Sequence, residues 1–145
     1  MANTDFEVFK VNVRLKLSAL WASLMCCYFY GDYFELYVPG KVEGLISGDN
    51  MLDAPVKLLT ATVILTLPAL MIFLSLVLKP RICRVLNIIL GLFFTLLMLL
   101  IAVSSLTEWR MFYVFLAIVE SIITSVVIWY AWKWPKVAST VGGTV

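Results

Sequence analysis

Four uninterrupted apolar runs, each long enough to cross a bilayer, leave this chain few folds to choose from. A hydrocarbon core of about 30 Å takes about 20 helical residues at about 1.5 Å each. Runs of that length lie at about 17–37, 58–78, 85–106 and 111–132, bounded by Lys16, the Pro39-Gly40 pair, Lys57, Lys79-Pro80 and the Thr107-Glu108-Trp109-Arg110 connection. Only helices and closed barrels satisfy the backbone in lipid, and these runs lack the period-two alternation of barrel strands. The expected fold is therefore all-α: a polytopic membrane protein built as a bundle of four transmembrane helices, one domain over 1–137 with a flexible tail at 138–145. Composition agrees, since 63% of the residues are hydrophobic and 14% charged, against about 45–50% and about 25% in soluble domains.

The basic residues orient the spans by the positive-inside rule. Lys10, Arg14, Lys16, Lys79, Arg81, Arg84, Lys133 and Lys136 fall at one end, and Lys41, Lys57 and Arg110 at the other. With an even number of spans, that split predicts cytoplasmic N and C termini and puts the first loop, 38–57, outside. The net charge of +2 is thus a topology signal and gives no reason to expect nucleic-acid binding. Tyr33, Tyr37, Trp109 and Tyr113 mark the outer ends of spans, and Trp129, Tyr130, Trp132 and Trp134 an inner girdle. The N-terminal apolar run is too long for a signal-peptide core and lacks a small-residue cleavage site, so it is read as a retained span.

The chain has no histidine, which removes the commonest general base and most zinc sites. Cys26 and Cys27 are neighbours on the first span and Cys83 lies at the far end of the third, a spacing that offers neither a disulfide nor a C-x-x-C motif. No metal and no cofactor are expected.

An ionisable side chain deep in a bilayer costs about 2.5–3.5 kcal/mol even on a lenient scale, and so calls for an explanation. Glu120 lies about 13 Å below the outer end of the fourth run, with Asp32 about 7 Å and Glu35 about 3 Å deep on the first. At the depth of Glu120, the other runs bring Tyr28, Thr66 and a position near Thr95, with Thr124 one turn below on the fourth. Pro68 in the second run frees the carbonyl of Ile64 nearby. Arg14, Ser18, Trp21, Met25, Tyr28, Asp32 and Glu35 follow one another at alternating intervals of four and three, one face of a helix. Tyr113, Ala117, Glu120 and Thr124 form a second such face, and Asn87, Gly91 and Thr95 a third. These faces predict a polar seam inside the bundle, with small residues permitting close helix approach.

The first span, Leu17-Ser-Ala-Leu-Trp-Ala-Ser-Leu-Met-Cys-Cys-Tyr-Phe-Tyr-Gly-Asp-Tyr-Phe, followed by Tyr37-Val-Pro-Gly-Lys, resembles a family of small bacterial four-span membrane proteins known only as a domain of unknown function. The stretches beginning at Pro68, at Leu86-Asn-Ile-Ile-Leu-Gly and at Trp129-Tyr-Ala-Trp-Lys-Trp-Pro look like the same family. The resemblance implies a bacterial inner-membrane protein and carries no activity. The architecture is also similar to DoxX-type four-helix membrane proteins, which lend no catalytic residues.

Three functions fit this pattern. Glu120, Asp32, Tyr28, Glu35, Thr66, Thr95 and Thr124 line an outward-facing site for a proton, a cation or a small polar solute, with a homo-oligomer completing any transport path. Alternatively, Glu120 and Asp32 act as acid and base on a lipid or isoprenoid, the proton-transfer chemistry left when histidine, metal and nucleophile motifs are missing. As the third possibility, the seam is structural, with a protonated Glu120 donating to Tyr28 or Thr95 in an accessory protein whose partner is the bilayer. The outer loop, with Gly40, Gly44 and Gly48, reads as turns with a short amphipathic piece. Enzymatic activity is the least supported of the three.

Overall fold

A computed structural model of the protein describes residues 10–135; the tail at 138–145 and Lys136 lie outside the described residues. Of the described residues 82% are helical, and none is in a strand. Its elements are α1 (Val13–Glu35), α2 (Lys41–Ser47), α3 (Pro55–Val77), α4 (Pro80–Ser104), a single 3-10 turn (Glu108–Arg110) and α5 (Met111–Trp132).

Three helices, α1, α3 and α4, start earlier than their apolar runs. Pro55 and Pro80 occupy the first helical positions of α3 and α4, where a fixed φ suits the helix and a missing N–H costs nothing. The polar residues that follow each proline are thereby drawn into the helix. Asn12 caps α1, its side chain accepting from the Arg14 N–H at 3.0 Å. The short α2 sits between Gly40 and Gly48, both at positive φ (77° and 80°), a conformation that favours glycine.

Three helices, spanning Pro55–Val77, Pro80–Ser104 and Glu108–Trp132, are long and apolar enough to cross a membrane. The equally long α1 carries Arg14, Lys16, Asp32 and Glu35 and several tyrosines. It lies between α3 and α5, and α5 also packs along α4. Trp21, Leu17, Leu24, Met71, Phe94 and Val127 form the centre of the core. Hydrogen bonds fix which ends lie together. Arg14 Nη1 donates to the Leu76 carbonyl at 2.7 Å, joining the start of α1 to the end of α3, and Arg84 Nη2 donates to the Trp132 carbonyl at 3.4 Å, joining the start of α4 to the end of α5. At the opposite end Arg110 pairs with Glu35.

Candidate functional site

At the basic end, the interior polar groups are paired apart from Arg84 Nε. Trp21 Nε1 donates to Asn87 Oδ1 at 2.7 Å, and Asn87 Nδ2 donates to the Cys83 carbonyl at 2.8 Å and to Ser75 Oγ at 3.5 Å. The Cys83 thiol donates to the Ser75 carbonyl at 3.4 Å, and Ser18 Oγ donates to the Ile72 carbonyl at 2.8 Å. This network ties α1, α3 and α4 together. Helical spacing puts Asn87, the centre of this network, on a polar face but gives it no role. One signal was available: Asn87 is the only carboxamide in the four long helices, and a buried amide must find partners.

The opposite half is organised differently. Glu120 is only 5% exposed, yet its carboxyl has no hydrogen-bond partner among the described residues; only its backbone carbonyl is engaged, accepting from Thr124 Oγ1 at 2.9 Å. The hydroxyl of Tyr28 is buried and also unpartnered. Both residues sit where α1 meets α5, with Glu120 near enough to act electrostatically on Tyr28 and Tyr113. At Gly31 the α5 side chains Leu116 and Tyr113 lie over the α1 backbone; a Cβ there would meet them at 3.6 and 3.7 Å, ordinary contact distances that an alanine would also satisfy.

Several expected members of the seam lie elsewhere. The hydrogen bond from Glu120 to Tyr28 or Thr95 is not formed. Thr95 instead shares a 2.7 Å contact with Thr124 across α4 and α5, while Thr124 also donates to backbone carbonyls of its own helix. Those two hydroxyls are a helix clasp and offer little capacity to a ligand. Thr66 is exposed, and its Oγ1 donates to the Thr62 carbonyl at 2.7 Å. The reason is rotational: Pro68, Met71 and Ser75 are the buried residues of α3, and a position two before Pro68 is turned about 200° away. Asp32 is exposed as well, because the buried stripe of α1 runs Leu17, Trp21, Leu24, Tyr28, Gly31 and leaves Asp32 one step around the helix.

Glu35 is held at the end of the bundle. Its Oε1 takes both Lys41 Nζ and Arg110 Nη2 at 3.0 Å, linking the end of α1 to α2 and to the turn before α5. The side chain is 14% exposed, intermediate between a surface pair worth about 0–1 kcal/mol and a buried one. Glu35→Gln is expected to lower stability by about 1–2 kcal/mol, with a loss that shrinks in high salt; unfolding in mixed micelles at two ionic strengths checks it.

No three His, Cys, Asp or Glu side chains converge on a metal-sized site among the described residues. A family model matches residues 6–140, nearly the whole chain. The chain belongs to DUF6326, a family of unknown function. None of the curated proteins and none of the solved structures compared with this DUF6326 protein matches it. The size and membrane-type helices of the chain are consistent with that membership.

Proposed function

We propose that this DUF6326 protein is a four-span bacterial inner-membrane protein in which Glu120, beside Tyr28, takes up a proton or a small cation from the outer side. On this reading α1 also crosses the membrane, bringing the spans to four, and both termini are cytoplasmic. The charge distribution supports the orientation: Lys10, Arg14, Lys16, Lys79, Arg81, Arg84 and Lys133 share one end, and no acidic residue lies at that end among the described residues. The packing of α1 between α3 and α5 supports its place within the bundle.

The observation that carries the functional reading is the pair of unsatisfied groups. A buried phenol without a hydrogen bond costs more than a paired one, a carboxyl that makes none inside a helix bundle is costly as well, and a ligand that pairs with both recovers that cost. A divalent cation takes six or more oxygens, many more than one carboxyl and one hydroxyl supply. A proton needs only the carboxyl. Once protonated, Glu120 becomes a donor and Tyr28 an available acceptor. The acid and base reading of Glu120 and Asp32 gains nothing from an Asp32 that lies exposed.

Infrared spectroscopy of the protein in liposomes tests the proposal directly. One component of the carboxylic-acid carbonyl band is expected to grow as the external pH falls and to be missing from Glu120→Gln, in which the other eight Asp and Glu carboxyls still titrate. An identical band in the variant, or a band that never responds to external pH, refutes it.

A further inference from the structure

A groove on the outside of α4 and α5 has the dimensions and the charge of a site for one phospholipid. It occupies about 500 Å³ and runs from Ile118 to Trp129 on α5 beside Thr95 and Leu99 on α4. The eleven helical steps from Ile118 to Trp129 cover about 16 Å, close to the roughly 15 Å that one leaflet contributes to the hydrocarbon core. Its hydroxyls are internally spent: Thr95 donates to Gly91, Ser121 to Ala117 and Ser125 to Ser121, each to a carbonyl of its own helix. The groove therefore presents an apolar wall suited to an acyl chain.

Cations stand at one mouth only. Lys133, the residue just after α5, holds its ammonium 4.9 Å from the Trp129 ring centre. On α4, Arg84 lies eleven residues before Thr95, within about 20° of the same face. Its Nη2 reaches the last turn of α5 at Trp132, and its Nε is buried without a partner. Arg84 and Lys133 thus flank the end of the groove at Trp129, and no acidic residue lies at that end among the described residues. The opposite end of the groove, at Ile118 and Leu99, has no charged lining residue.

We infer that the α4–α5 groove binds an anionic phospholipid, with one acyl chain along the groove and the phosphate between Arg84 and Lys133. A base near an anionic lipid surface contributes about fivefold in affinity, so the two together predict a preference of between about fivefold and thirtyfold for an anionic over a zwitterionic headgroup. This site is separate from Glu120 and does not depend on its role.

Thermal unfolding of the full chain in dodecyl maltoside, titrated with dioleoyl phosphatidylglycerol or dioleoyl phosphatidylcholine, provides the test. Phosphatidylglycerol is expected to stabilise at about fivefold lower concentration or better. The preference should vanish in Arg84→Gln/Lys133→Gln, and in part in Lys133→Gln alone, a surface change that preserves folding. Ser125→Phe, which fills the groove and leaves both cations in place, should weaken both lipids. Equal titrations by the two lipids overturn the inference. So does full stabilisation by glycerol phosphate without acyl chains, or a Ser125→Phe variant that binds phosphatidylglycerol like wild type.

Discussion

Trp21→Ala is expected to cost about 3–5 kcal/mol of folding stability, measured by unfolding from lipid-like micelles into sodium dodecyl sulfate. Trp21 is completely buried and is the largest side chain so enclosed. It packs edge-on against Phe94 at 6.1 Å between ring centres. Removing it opens a cavity where α1, α3 and α4 meet and strips Asn87 Oδ1 of its donor. Trp21→Phe separates the two losses, since it keeps most of the volume and removes only the N–H; about 1–2 kcal/mol is expected from the unpaired amide. In a double-mutant cycle with Asn87→Leu, the coupling should reach roughly 0.6–1.7 kcal/mol, the range found for polar pairs within membranes. A coupling near zero would show that the 2.7 Å contact adds nothing to packing.

The same residues show what periodicity alone reveals. Ser18, Trp21 and Tyr28 were legible as one face of α1, because a face that carries hydroxyl, indole and phenol groups is turned away from lipid. Alternating steps of four and three also admit a neighbouring stripe through Leu24 and Gly31, and packing chose that one. Gly31 lies in that stripe beneath Tyr113 and Leu116, and Asp32, one residue on, faces the surface. The deep placement of Glu120 was legible from its count along α5, and so was its neighbour Tyr28. Their failure to bond each other was not, since that depends on side-chain direction. Thr66 misled for a related reason: a hydroxyl that bonds its own helix costs little when turned outward, so depth along a run says nothing about facing. The starts of α3 and α4 were hidden because a proline that bounds an apolar run also makes a good first residue of a helix.

Gly91→Val is expected to destabilise by about 1–3 kcal/mol, the cost of forcing added methyl groups into a packed interface, and Gly91→Ala by a smaller amount in the same direction. A Cβ at Gly91 would lie 2.8 Å from Ile128 Cγ1 and 3.4 Å from the Thr124 carbonyl. The first contact is with a β-branched side chain held to few rotamers on a helix; the second is with backbone, which limits how far the helices can give way. Gly91 thus sets the spacing of α4 and α5, the most extensively packed helix pair in the protein. Separation there should also stretch the 2.7 Å contact between Thr95 and Thr124, one turn along. The two effects are separable, because Thr95→Val removes the hydroxyl contact without altering the spacing. If Gly91→Val acts through spacing, adding Thr95→Val should cost much less in the Gly91→Val background than in wild type, since the clasp is already broken. Fully additive losses in the four-variant unfolding cycle would mean instead that Ile128 alone absorbs the valine and α4 keeps its place on α5.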